Sequence, residues 1–294
     1  MTIYYHSSKI ASILGINYYV NKEEYINLFI KYLYKNKEEL REYDINNNYI
    51  KFCSEKDNLI IKLINAGVKD NKQKEILDIY KNRKNIKNTY ELHSETKKVT
   101  KILSKLPVTE KNKLLPNIQS KLNCSYGTNT EYSAIKLYSK LTNNEVTECN
   151  KKLLTIYCNK FNICGKIDGK TTINKKEYIV EIKNRKSKFY KIIPEYEKIQ
   201  LILYTKLCNN NNICFIQKLS NEIQMEYIHD LDNDDKIYND IINKLELYNN
   251  LIIKLQNNES ERRKFLSLDN TTSMYMYLKN ILNFLPYKVL KYKT

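Results

Sequence analysis

The sequence predicts an α/β protein: a mixed central sheet flanked by helices and interrupted by an all-α insertion. Three observations predict it. Residues 161–228 hold two pairs of short apolar runs, FNICGKID with YIVEIKNR and ICFIQKL with IQMEYI, each pair parted by turn residues. That is the pattern of two β-hairpins. Between the pairs, Tyr196, Ile199, Leu203, Tyr204 and Leu207 recur at helical spacing. Residues 46–121 show only helical periodicity, broken at Gly67 and Pro107.

The elements follow in order. Ser7 or Ser8 is placed to cap a short helix that Gly15 ends. Residues 21 to about 35 form an amphipathic helix with Asn21 and Glu24 as a capping pair. Helices are expected at 49–66, at 71–80 and through a basic stretch up to Leu106, with KNRKNIKN (81–88) as a solvated helix end. YGTNTEYSAIKLYSKL looks helical from about Asn129. Pro194 suits the first turn of the next helix. NNNN (209–212) is a turn, and 235–255 a helix. The chain therefore divides into a core of residues 1–35 and 122–257, a helical insertion of 36–121, and a C-terminal segment of 258–294. The insertion reads equally as an arm over a channel or as a cap on the core. The C-terminal segment carries Tyr275, Tyr277, Phe284, Tyr287, Lys288, Lys291 and Lys293, which suit either packing on the core or tracking phosphates.

The first hairpin carries the chemistry. One strand ends at Asp168, Gly169 opens the turn, and Asn174, Lys175 and Lys176 supply polar turn residues. The return strand carries Glu181-Ile182-Lys183. Side chains alternate along a strand, so Glu181 and Lys183 share one face while Ile182 points into the core. A hairpin brings Asp168 alongside Glu181. Two carboxylates without thiols are hard oxygen ligands, suited to Mg²⁺ or Mn²⁺. Lys183 could position or deprotonate a metal-activated water, or neutralise charge in the transition state. The ordinary alternative is a solvated strand with surface charges, but YIVEI is apolar around Glu181. Gln200 interrupts the apolar stripe of the following helix, and such a residue needs a partner. Lys183, an attacking water or a backbone carbonyl would serve. Glu131 shares a face with Ala134, Ile135 and Tyr138. It is either a site acid or, with Thr128, half of a capping box.

In this order the segments SSKIASILGINYY, GTNTE, KIDG, EIKNR and YEKIQLILY resemble the PD-(D/E)XK nuclease superfamily, specifically the phage λ exonuclease/YqaJ-type viral recombinase family. The resemblance covers residues 7–33 and 126 to about 230. It implies a restriction-endonuclease-like fold, with Asp168, Glu181 and the Ile182 carbonyl as metal ligands. It implies Lys183 as catalytic, Gln200 as a site residue and Glu131 as a second-metal or water-orienting acid. Two departures stand out. Ile167 occupies the place where the family commonly has proline before the metal-binding aspartate. The first helix offers His6, Ser7, Ser8 and Lys9 where λ-type enzymes hold a 5′ phosphate with arginine.

Composition bounds the rest. Lys and Arg number 50 against 33 Asp and Glu, a net charge of +17 that favours a polyanionic partner. The seven cysteines are scattered without a Cys-x-x-Cys pair, and histidines number three. This argues against structural zinc or an iron–sulfur cluster and for reduced thiols in cytoplasm or nucleus. No run is long enough to span a membrane, and the N-terminus lacks a secretory core. The expected function is Mg²⁺-dependent exonucleolytic hydrolysis of DNA. The resemblance suggests a partner that anneals single strands and a homo-oligomeric ring. A structure- or sequence-selective endonuclease, or a non-catalytic nucleic-acid-binding module, is the alternative.

Overall fold

The computed structural model describes residues 2–47, 55–149, 153–232 and 235–285. The elements run β1 (Ile3–His6), α1 (Ser7–Ile13), α2 (Lys22–Leu33), α3 (Glu38–Asn46), α4 (Glu55–Asn65), α5 (Asp70–Asn82), α6 (Thr89–Leu103) and α7 (Val108–Thr142). They continue through β2 (Val146–Thr147), β3 (Leu154–Tyr157), β4 (Phe161–Gly165), β5 (Gly169–Ile173), β6 (Lys176–Arg185) and α8 (Glu195–Cys208). The chain then forms β7 (Asn212–Leu219), β8 (Glu222–His229), α9 (Lys236–Asn257), α10 (Glu259–Leu266) and α11 (Thr271–Leu282).

The protein is mixed α/β, as expected, but its strands form two sheets rather than one central sheet. A three-stranded sheet has the order β1-β4-β3, with β1 parallel and β3 antiparallel to β4. A five-stranded sheet has the order β2-β5-β6-β7-β8, with β6 and β7 parallel and the other pairs antiparallel. The expected strand ending at Asp168 is therefore split. Its first half, β4, joins the small sheet, and residues 166–168 cross to the large one. Gly169 starts β5 instead of opening the turn. The turn is Asn174-Lys175, both at positive φ, as a tight primed hairpin turn requires. A side chain at position 169 would run into Val146 and the Thr147 carbonyl of β2, so the chain crosses between sheets at a residue without one.

The amphipathic stripe of α2 (Tyr25, Ile26, Phe29, Ile30, Leu33) faces the main core with β1, β4, α9 and α11. Its Asn21–Glu24 capping box forms as expected. Neither Ser7 nor Ser8 caps α1; His6 is the N-cap residue and makes no side-chain cap bond. A separate core unites α4, α5, α6 and the first half of α7 around Leu63, Ile76, Val99, Leu103, Ile118 and Leu122. Residues 49–54 of the expected 49–66 helix lie outside the described residues. A third core sets Ala134 and Tyr138 of α7 against Tyr178, Val180, Ile182 and Ile216 of the large sheet.

These cores correct two boundaries. Residues 38–46 belong to the main body, because Leu40 and Ile45 pack on its core. The insertion does not part from the rest of the chain at 121, because α7 runs unbroken from one hydrophobic core into the other. The expected helix start near Asn129 is absent for the same reason. Helical stability comes mainly from packing an apolar face, and here each half of the helix has a core of its own. In the C-terminal segment Phe265, Met274, Tyr275, Leu278 and Leu285 pack into the main core. Tyr287, Lys288, Lys291 and Lys293 lie outside the described residues. Among the described residues no helix is long and apolar enough to cross a membrane.

Candidate active site

The β5–β6 hairpin places Gly169 opposite Val180, so the preceding residue, Asp168, falls beside Glu181. The Asp168 carboxylate accepts a hydrogen bond from the Ile182 backbone N–H at 2.7 Å. Along an extended strand a residue's N–H and C=O face the same edge. The Ile182 carbonyl therefore looks toward Asp168, while its side chain is buried in the core between α7 and the sheet. Glu181 and Lys183 lie on the opposite face, as alternation predicts, and form an ion pair.

That face packs against α8. The Lys183 ammonium donates to Gln200 Oε1 at 2.9 Å. Gln200 Nε2 donates to the Tyr204 hydroxyl at 2.8 Å, and Tyr204 donates to the Lys166 carbonyl at 2.7 Å. Of the three partners open to Gln200 from the sequence, Lys183 is the one it meets. Ser7 also lies close to Tyr204. The close approach has a cause in β4: any side chain at Gly165 would collide with Ser7 and press on Tyr204.

Electrostatics set this cluster apart. Burial raises the pKa of Asp168, and the charge of Glu131 raises it further. Burial also raises that of Glu181, with Asp168 adding to the effect. Lys183 opposes both shifts. Its own ammonium is pulled down by burial but held above its ordinary range by Glu181, Glu197 and Asp168. Glu181 is 1% exposed, and among the described residues its Oε2 has no hydrogen-bond partner. A buried carboxylate oxygen without a donor is costly, and a cation would relieve that cost.

Glu131 thus lies near enough for its charge to bear on Asp168, but not by the route its local sequence suggested. It lies in the interior of α7, so no capping box with Thr128 exists, and Thr130 instead bonds back to the Tyr126 carbonyl. Asn129 donates to the Ile86 carbonyl at 2.9 Å and so ties the end of the KNRKNIKN run to α7.

Sequence reasoning missed a supporting pair. Arg185 grips Glu197 with two parallel hydrogen bonds of 2.7 and 2.8 Å and donates its Nε to Gln217 at 2.7 Å. Both partners of the pair are buried. A signal was available. Arg185 continues the Glu181–Lys183 alternation, and Glu197 precedes Gln200 by one helical turn on α8.

Among the described residues no group of three or more His, Cys, Asp or Glu side chains is arranged to hold a metal ion. The donors that are present still fit one class. Mg²⁺ commonly takes one or two carboxylates and keeps several waters. Asp168, Glu181 and the Ile182 carbonyl offer that set, and the unpartnered oxygen of Glu181 marks where positive charge is lacking.

No family model and no curated protein matches the chain. Among solved structures it is similar to the crystal structure of SSO0001, at 21% identity and a TM-score of 0.32. The match covers 46% of this chain and 66% of that one, just under two thirds of its length. A likeness this slight carries no argument about fold or activity.

Proposed function

We propose that the protein is a metal-dependent deoxyribonuclease of the PD-(D/E)XK type, similar to λ exonuclease/YqaJ-type recombinases, that resects duplex ends for recombination, repair or replication. The observation that carries this reading is the pairing of Asp168 and Glu181 beside a lysine that Gln200 holds, with one oxygen of Glu181 buried and unpartnered. Asp168, Glu181 and the Ile182 carbonyl would hold Mg²⁺, or Mn²⁺ in its place. The ion supplies Lewis-acid polarisation of the phosphate and a bound water of lowered pKa. Lys183 is kept protonated by its carboxylate neighbours, which suits it to stabilise the charge growing on the phosphate oxygens. Gln200 fixes the direction of that ammonium, and Tyr204 fixes Gln200. Glu131 supplies a further acid from the α7 side, placed to orient the attacking water or to serve a second ion. The net charge of +17 supports a polyanionic substrate. A single-strand-annealing partner, a homo-oligomeric ring and a reducing cytoplasmic or nuclear setting belong to the same reading.

The test is digestion of end-labelled linear duplex beside covalently closed circles, with Mg²⁺ or Mn²⁺. Loss of the linear duplex alone is expected. Equal loss of circles would instead assign an endonuclease with the same site. Hydrolysis of neither, under either metal, would reduce the protein to a nucleic-acid-binding module.

A further inference from the structure

Four tyrosines gather beside the candidate site without any role in it. Tyr18 and Tyr19 lie on the turn between α1 and α2, with rings 4.5 Å apart, and are 43% and 39% exposed. The Tyr196 ring meets both in T-shaped contacts, with centroids at 5.5 and 5.7 Å. Tyr190 meets Tyr19 hydroxyl to hydroxyl at 3.2 Å. Each support is itself fixed. The Tyr190 ring is stacked on the Arg185 guanidinium at 4.2 Å, and its backbone N–H and C=O are both held by the Gln217 amide. Tyr196 is on α8, one turn before Gln200.

We infer that Tyr18 and Tyr19, backed by Tyr190 and Tyr196, form a platform on which bases of a single DNA strand stack next to the scissile phosphate. This rests on the nuclease reading of Asp168, Glu181 and Lys183. Pre-assembled, partly exposed phenol rings are what sequence-tolerant base stacking uses. Position picks the occupant. Successive turns of α8 carry Tyr196, Gln200 and Tyr204, so Tyr196, which backs the platform, stands about 6 Å along the helix from the residue that aims Lys183. A strand held at the site, its stacked bases rising about 3.4 Å each, passes the platform within a few nucleotides. The loop bearing Tyr190 also exposes Lys188 and Lys191, which can meet the phosphates between stacked bases. An end-resecting enzyme must part the terminal bases of a duplex before cutting one strand. A stacking surface at this place lowers the cost of holding them apart.

Binding in metal-free buffer tests the platform without cleavage. The probes are a short single-stranded oligonucleotide and the same oligonucleotide carrying abasic residues in place of its bases. Tyr18→Ala/Tyr19→Ala should weaken binding of the normal oligonucleotide by about 5- to 150-fold, the range for losing one stacked base. Tyr18→Phe/Tyr19→Phe should retain it, because the ring does the stacking. Wild-type protein should bind the abasic strand more weakly than the normal one by a factor in the same range, a comparison that needs no variant to fold. Equal wild-type affinity for the two strands would overturn the platform, as would an alanine variant that binds the normal strand like wild type. Hydrolysis is scored separately with Mg²⁺. A protein that prefers base-bearing strands but cuts nothing loses the nuclease reading and keeps the platform. One that cuts but does not distinguish the strands keeps the nuclease and loses the platform.

Discussion

Two places in this protein bury a carboxylate, and they treat it in opposite ways. Asp44, at the end of α3, is fully buried and fully answered. It accepts from the Tyr34 hydroxyl at 2.7 Å and from Arg262 at 2.7 and 3.3 Å. Arg262 Nη1 donates to the Leu255 and Gln256 carbonyls. Glu181 is equally buried but faces Asp168, with Glu197 nearby, and one of its oxygens has no partner among the described residues. The first arrangement closes a structure, since it ties α3 to α10 across the main core. The second sets the carboxylates of Asp168 and Glu181 beside the one ammonium of Lys183 and leaves an oxygen unpartnered, which a fold selected for stability alone would replace with apolar side chains. The contrast separates a buried charge that holds the fold from one that a cation would neutralise under the proposed function.

The largest effect should come from removing the carboxylate charge at the proposed metal site. Asp168→Asn and Glu181→Gln each keep shape and should abolish hydrolysis while leaving DNA binding largely intact. Wild-type turnover by either protein at saturating Mg²⁺ would erase the contrast with Asp44. Lys183→Ala should lower turnover by about a hundredfold or more with metal affinity changed far less, as a metal titration alongside the rate measurement would show.

Glu131→Gln comes next. The residue is interior to α7 and caps nothing, so melting should stay near normal while hydrolysis falls steeply. Normal turnover by the folded variant would confine the site to Asp168, Glu181, Lys183 and Gln200.

Arg262→Ala should give the mirror image. It strands Asp44 in the interior, a change that typically costs about 3–5 kcal/mol. Denaturant unfolding should register that loss, while turnover per folded molecule holds. A variant as stable as wild type would show that the Asp44 pair does not hold the fold.

The smallest effect is one of pH. Asp168 and Glu181 titrate above their ordinary range when folded, so the folded state binds more protons than the unfolded chain. Stability from this source is fully present below the usual carboxylate range near 4 and is lost as pH rises toward the raised values. Metal-free protein should therefore melt lower at neutral than at mildly acid pH. Glu181→Gln should recover part of the difference at neutral pH, and added Mg²⁺ should narrow it in wild type alone. Identical pH slopes in thermal melts of wild type and Glu181→Gln would show that the site carries no such strain.

Local pattern was enough to read much of this molecule. Strand alternation put Glu181 and Lys183 on one face and Ile182 in the core. Turn chemistry put Asp168 at hairpin distance, although the turn proved to lie at Asn174-Lys175. Helical spacing picked out Gln200, and the Asn21–Glu24 pair was legible because a capping box spans four residues. Each of these depends on neighbours within one strand pair or a few helical turns, the range over which backbone geometry repeats. Only tertiary structure could divide the strands between two sheets, because the parallel pairing of β1 with β4 joins Tyr5 to Ile163 and leaves no local trace. Only tertiary structure could carry α7 through Gly127 and Thr128, since cores at both ends outweigh a local stop signal. The same holds for the meeting of Glu131 with Asp168 and for the pairing of Asp44 with Arg262 across 218 positions. Burial selects such partners after the chain has folded back on itself, and periodicity along the sequence does not encode a meeting of that kind.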